Sequence, residues 1–196
     1  MEYERFMYSI PPVHGELKQH DCFGNIIIRS LVRKSSGTRL HFEKRLLPRI
    51  AVGLPDWERA HSQGHGTGHE SMFGITYAPY EVNQVVQRLG VERRIIELES
   101  IREKVDKVND ILIILTTETG SYSIKLPQRN VDIRCLREIT YVLQVYHKKY
   151  RKFRTAFEVT VSVEKPCFIL DAEGKEVVEK PPKVSLSGIP QLSHLL

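Results

Sequence analysis

Cysteine is scarce in this sequence, and the few cysteines are poorly placed for pairing. The chain has three, at Cys22, Cys135 and Cys167; no two form a C-x-x-C pair, and the number is odd. A disulfide framework of the kind that holds small secreted domains together is therefore not expected. We expect the folded chain to work in a reducing compartment.

Long apolar runs are also missing. The longest concentrated stretch, "ILIIL" at 111–115, is far shorter than the roughly 20 residues that span a bilayer. Glu2, Glu4 and Arg5 interrupt the start, and no apolar segment of a signal peptide follows them. We expect no membrane insertion, and a chain that either stays in the cytoplasm or travels attached to something larger.

The composition is that of a globular protein with a positive charge. The 196 residues are 41% hydrophobic and 27% charged, with a formal net charge of +5. This length suits one compact core with or without loose ends. A basic balance favours partners that carry phosphate groups or an acidic surface. The sequence does not indicate an oligomeric state.

The apolar pattern predicts an α+β fold. Residues 24–34 fit either a strand or a helix, and 38–50 fit a basic helix or an extended segment. Two helical stretches are expected over 80–105. The first begins near Pro79 with Val82, Val85, Val86 and Leu89 at helical spacing, Gly90 interrupts it, and a second amphipathic stretch follows with Ile95, Ile96, Leu98, Ile101 and Val105. From 110 the period changes to two, which predicts four strands, with "TGS" at 119–121 as a tight turn.

The expected architecture places N-terminal helices and a glycine-rich loop on one face of a four-stranded antiparallel sheet. Residues 1–54 are interpreted as an N-terminal arm and helical segment. Residues 55–165 are interpreted as the functional core. Residues 166–196, rich in proline and lysine, are interpreted as a loose tail.

The glycine-rich loop, "WERAHSQGHGTGHES" at 57–71, carries the residues that favour acid–base chemistry. Two imidazoles cleave RNA without metal when one accepts the ribose 2′-hydroxyl proton and the other protonates the leaving oxygen. A carboxylate orients such an imidazole, and a cation steadies the phosphate. The loop supplies these parts as the catalytic candidates His61, His69, Glu70 and Arg59.

A metal site is the alternative interpretation of the same loop. His61, His65 and His69 recur every four residues, and three neutral imidazoles can hold a zinc ion with an open position. The intervening glycines make a helix expensive, so this spacing carries no fixed geometry. The H-E-x-x-H pattern is missing as well. The acid–base interpretation needs no cofactor.

Residues with polar side chains or free backbone N–H groups are candidates for substrate binding. Glycine lets the backbone approach a phosphate closely, and the start of a helix offers N–H donors. The basic, aromatic run "HKKYRKFR" at 147–154 could follow a phosphate backbone. The candidates are Gly66, Gly68, Asn83, Gln84, Thr117, Lys148 and Arg151.

The stretch from 57 to 98 resembles the C-terminal toxin modules of bacterial polymorphic toxins of the Rhs and contact-dependent type. The resemblance is carried by "RAH" at 59–61, the spaced glycines, "ES" at 70–71, "GI" at 74–75, "AP" at 78–79 and "VNQ" at 82–84, and later by "TTET" and "LREITY". It covers roughly 55–165. His61 belongs to this pattern, whereas His65 and His69 do not.

A looser likeness links the paired histidines, and helices followed by an antiparallel sheet, to the barnase, EndoU, colicin and RelE group of ribonucleases. No clear lysine of the EndoU kind is present. These resemblances imply a ribonuclease toxin that forms the end of a larger secreted effector and acts in the cytoplasm of a target cell. They also imply an RNA substrate and an acidic immunity protein as partner.

A third hypothesis needs no catalysis. In it the chain is an adaptor whose basic sheet or tail, including Lys180 and Lys183, binds an acidic partner. Under that hypothesis the glycine–histidine loop would tolerate substitution.

Overall fold

The computed structural model describes residues 16–33, 47–68, 70 and 73–188. Within these ranges lie ten strands: β1 Glu16–His20, β2 Ile26–Leu31, β3 Trp57–Ala60, β4 Thr76–Pro79, β5 Ile111–Lys125, β6 Asp132–His147, β7 Lys152–Val163, β8 Phe168–Leu170, β9 Glu176–Val178 and β10 Val184–Gly188. One long helix joins β4 to β5; it is a π-helix over Glu81–Glu92 and an α-helix, α1, over Arg93–Val105. Arg49–Val52 and His65–Thr67 form short 3₁₀ turns.

Eight of the strands form one sheet. The order is β1-β2-β5-β6-β4-β3, and β7 lies between β6 and β10. All pairs are antiparallel except β4 with β6, which run parallel where Tyr77 lies opposite Cys135. The expected α+β fold, with N-terminal helices on a four-stranded sheet, is therefore wrong. The chain is mostly β, and its sheet is twice as wide as expected.

The burial of β2 explains why the sequence pattern near the N-terminus did not identify a strand there. Ile26, Ile27 and Ile28 are consecutive, β-branched and all buried, although successive side chains of a strand point to opposite faces. A strand buried on both faces shows no alternation, so its periodicity could not separate it from a helix. Most of the basic helix or extended segment predicted over 38–50 lies outside the described residues.

The turn predicted at "TGS" is also wrong. β5 runs unbroken through it for 15 residues, with a bulge between Gly120 and Ser121. The Arg137 guanidinium lies against Gly120, where a Cβ would stand 2.5 Å from its Nη2. Glycine here marks a close approach within a bulge and not a turn. Because β5 covers the first two predicted strands, the expected four-strand meander has three long strands.

The helical stretches expected over 80–105 form one continuous helix without the interruption expected at Gly90, and its buried side differs from the prediction. Val82, Val86 and Ile95 are buried as expected, whereas Leu89 is 53% exposed. A π-helix bonds i to i+5 and is wider than an α-helix, so the buried side drifts away from a 3.6-residue period. Val91 takes the core position instead.

The core lies between this helix and one face of the sheet. Its members include Val82, Val86, Val91 and Ile95 from the helix and Ile113, Leu115, Tyr141, Leu143, Val159 and Val161 from the central strands. Within the described ranges no helix is long and apolar enough to cross a membrane.

Part of the segment interpreted as a tail is built into the fold. β8 pairs with β9 in a small hairpin. β10 pairs with β7 along five residues and extends the main sheet. The division into arm, core and tail stays a prediction.

Candidate functional site

The candidate site is the loop that follows β3, and its central contact joins two of the predicted catalytic residues. His61 comes directly after β3, and its Nε2 lies 3.1 Å from Oε1 of Glu70. Each side chain is only 9% exposed. The two groups form an ion pair only when the His61 ring is protonated, and with little water around them they interact more strongly than they would at an exposed position.

Gln63 fixes this loop to the sheet. Its side chain is fully buried, and its Nε2 donates to the carbonyl oxygens of Ile28, at 3.0 Å, and Leu115, at 3.2 Å. Its Oε1 accepts the Ser30 hydroxyl at 2.5 Å. Because three bonds satisfy a buried amide on two strands, the loop is tied to β2 and β5 at a defined place.

A second tie uses hydroxyl groups. Ser62 donates to the carbonyl oxygen of Gly74 at 3.1 Å and accepts from Thr119 of β5 at 2.9 Å. Gly74 has φ of 76°, and a Cβ there would overlap the Ser62 hydroxyl. The two ends of the loop are thereby held to each other as well as to the sheet.

The long helix holds the loop from the other side. Gln87 Nε2 donates to the carbonyl oxygen of His61 at 3.2 Å. The Glu92 carboxylate lies against the backbone at Gly64 and Gly66, in the space that a Cβ at either position would occupy. A Cβ at either position would force this carboxylate to move.

The turn at His65–Thr67 needs its last glycine for a different reason. The Thr67 hydroxyl donates to the carbonyl oxygen of Gly64 at 2.8 Å, and Gly68 follows with φ of 79°. A Cβ at Gly68 would overlap the carbonyl group of Arg33. Gly66 and Gly68, both candidates for phosphate binding, thus approach groups of this protein.

Two other candidates for substrate binding contact a carboxylate. Asn83 Nδ2 and Gln84 Nε2 both donate to Oε2 of Glu58, the latter at 2.6 Å. These bonds join the start of the helix to β3.

Arg59 lies on the same strand, opposite Tyr77 of β4. Burial raises the pKa of the Tyr77 phenol, while the positive charge of Arg59 opposes that rise. The phenol donates to the carbonyl oxygen of Leu47 at 2.6 Å. The positive charge of Arg59 therefore lies on β3, two residues before His61 in the sequence.

Of the remaining candidates for substrate binding, Thr117 lies beside this loop, because its hydroxyl and the Gln63 amide approach the same carbonyl oxygen of Ile28, whereas Lys148 and Arg151 lie elsewhere. Thr117 is fully buried and lies 3.5 Å from the carbonyl oxygen of Ile28. Lys148 and Arg151 lie in the turn between β6 and β7, and the Lys148 ammonium donates to the carbonyl oxygen of Asn109. At about 3.3 Å per residue, the seven residues from 110 to 117 span about 23 Å. The basic turn and the loop are thus at separate places on the sheet.

The three-histidine metal site stays a prediction, because one of its three members is not among the described residues. His65 sits in the 3₁₀ turn and lines a cavity of about 510 Å³ with Glu99 and Glu103. His69 lies outside the described residues. Among those that are described, no group of three histidine, cysteine or carboxylate side chains is placed to hold a metal ion.

Sequence reasoning missed the residues that hold the loop, above all Gln63, Gln87 and Glu92. The glycines at 64 and 66 carried a signal of close approach. Nothing in the sequence said that the approaching group was a carboxylate 26 residues further along.

Comparison with known proteins gives one match. The family model described as bacterial toxin 4 matches residues 54–161, which include the loop, the long helix and the central strands. Neither the curated proteins nor the solved structures gave a significant match.

Proposed function

The chain belongs to the bacterial toxin 4 family, and from this premise we propose that it is a metal-independent ribonuclease toxin centred on His61. One observation carries the proposal. His61 Nε2 and Glu70 Oε1 lie 3.1 Å apart in a nearly buried pair at a loop held by the sheet and the helix.

In the proposed reaction, His61 accepts the proton of a ribose 2′-hydroxyl as its oxygen attacks the adjacent phosphorus. The bond from phosphorus to the 5′-oxygen breaks, and that oxygen leaves with a proton from a second acid. We assign the second role to His69. Glu70 holds the His61 ring and stabilises its protonated form, and Arg59 supplies positive charge for the phosphate.

We further propose that the domain forms the end of a larger secreted effector and acts in the cytoplasm of a target cell. In the producing cell an acidic immunity protein would block the site. The net charge of +5 favours both RNA and such an inhibitor.

The test is RNA cleavage by purified protein, followed by gel analysis of total RNA, with and without chelator. A general base contributes roughly 10²- to 10⁴-fold, so His61→Ala should lower the cleavage rate at least about 100-fold. Glu70→Gln keeps the shape of the side chain and removes its charge, so a loss of about tenfold or more is expected.

His147→Ala is the matched control, because His147 lies at the far end of β6 beside the Tyr150 ring. It should cleave at the wild-type rate. Equal rates for His61→Ala and wild type would overturn the proposal. Activity that chelator abolishes and zinc restores would support the metal-dependent alternative instead.

A further inference from the structure

The sheet face opposite the long helix carries a polar groove that the proposed function does not use. Along a strand, side chains alternate between faces, so Leu115, Tyr141 and Val159 point to the core and their neighbours point away. These neighbours line a groove of about 330 Å³ across β5, β6 and β7. The His61 loop contacts the other face, through Thr119 and Leu115.

The lining of this groove is acidic in a basic protein. Glu118 of β5 and Glu158 of β7 stand on its two sides, and Thr140 of β6 lies between Glu118 and Thr160 of β7. The two threonine hydroxyls lie 2.9 Å apart and satisfy each other. Among the described residues that line the groove, none is a lysine or an arginine. An anionic ligand is therefore disfavoured, and a cation is favoured.

An incompletely bonded amide points to a ligand that donates hydrogen bonds. Gln144 lines the groove, is 9% exposed, and its Oε1 has no hydrogen-bond partner within the described part of the chain. The buried hydroxyl oxygen of nearby Thr116 also lacks a partner there. Buried polar groups are nearly always bonded, so each such group calls for an explanation. A bound donor supplies one.

The spacing favours an extended ligand. β5 and β7 flank β6, so their backbones are about 10 Å apart. Glu118 is already held by Asn25, whose Nδ2 donates to Oε1 at 3.0 Å. Two carboxylates on strands this far apart are poorly placed to hold one small ion such as calcium or magnesium between them. A flexible cation with N–H donors at both ends fits these positions better.

We propose that this groove binds a small organic cation of the aliphatic polyamine class. The terminal ammonium groups bond Glu118 and Glu158, and one N–H group reaches Oε1 of Gln144. The site lies away from His61 and Glu70, so its existence does not depend on the nuclease proposal.

Calorimetric titration with spermidine at physiological salt tests the assignment. Glu158→Gln should weaken binding at least about tenfold. Glu173→Gln, which removes an exposed carboxylate in the β8–β9 turn, is the matched control and should bind like wild type. Equal affinity for the Glu158 and Glu173 variants, or no spermidine binding by wild type, would overturn the proposal.

Gln144→Met separates a ligand site from a structural role. Without ligand this variant should melt at the same or a higher temperature than wild type, because it removes an unbonded buried oxygen. It should also lose most of the rise in melting temperature that spermidine gives wild type. A lower melting temperature with an unchanged spermidine response would contradict the assignment, as would magnesium chloride or a lysine-rich peptide matching spermidine at equal concentration.

Discussion

The Glu92 carboxylate lies where a side chain at Gly66 would have to go: a Cβ there would stand 2.5 Å from Oε2. A glycine-spaced loop suggests an anion cradle, and in this chain an internal carboxylate occupies it. The relationship joins the loop to the junction of the π-helix and α1. It also makes the loop sensitive to changes far from His61 in sequence.

Gly66→Ala should therefore destabilise the protein by about 1–3 kcal/mol, the usual cost of forcing extra volume into a packed site. In a Glu92→Ala background the same change should cost less than about 0.5 kcal/mol, because the carboxylate is gone. Urea unfolding of the four proteins in this cycle measures both values. Equal costs in the two backgrounds would show that Glu92 does not restrict position 66.

The bonds to Glu58 predict a structural role for the start of the helix. Gln84→Ala should lower the free energy of unfolding by about 1 kcal/mol, because it removes a donor to a carboxylate. Chemical denaturation measures the loss. Gln128→Ala, at an exposed glutamine between β5 and β6, is the control and should change little. A stability loss no larger than that of the control would contradict the role given to this bond.

The cysteines should differ sharply in reactivity. Burial raises the pKa of the Cys135 thiol to about 12, so at pH 8 it is protonated as well as inaccessible. Cys22 and Cys167 are exposed. Mass spectrometry after brief alkylation of folded protein should find two modified thiols, and three in urea. Rapid labelling of Cys135 in the folded protein would contradict the buried position.

Asp106 should make the stability of the folded protein depend on pH in the acidic range. Desolvation would raise its pKa, but the backbone N–H groups of Ile111 and Asp110 outweigh that and lower the pKa below the usual 3.8. A group whose pKa is depressed by folding stabilises above its unfolded pKa, and that contribution fades as pH falls through the folded value.

The wild type should thus melt at a higher temperature than Asp106→Asn at pH 7, and this difference should shrink below about pH 4. Melting temperatures at pH 7, 5 and 3 measure it, with Asp132→Asn, an exposed carboxylate at the start of β6, as control. A difference that grows as the pH falls would have the wrong sign.

The parts of the fold that could be predicted are those with a clean period and one buried face. Phe157, Val159 and Val161 alternate with polar residues, and β7 is a strand as expected. β2 could not be assigned, because burial on both faces removes the alternation. Leu89 was misplaced because a π-helix obeys a different period from the one assumed.

For the candidate site, the sequence indicated the types of residue involved better than it indicated where they lie in the fold. A carboxylate near His61 was expected from residue type, and Glu70 lies 3.1 Å from it. The supports were not predictable, because Gln63 and Gln87 act through contacts between distant segments. Lys148 was assigned to the site on charge alone, but it lies beside the start of β5, whereas the His61 loop contacts β5 further along the strand.

The width of the sheet bears on how this domain should be handled in the laboratory. Residues 54–161 define the family match, yet β2 and β10, which pair with β5 and β7, both lie outside that range. Cutting the chain to the matched segment would strip two long strands of their neighbours and leave their backbone groups open to pairing with another molecule. The segment shared with the family is therefore smaller than the sheet in which it is built, and a fragment trimmed to it should aggregate.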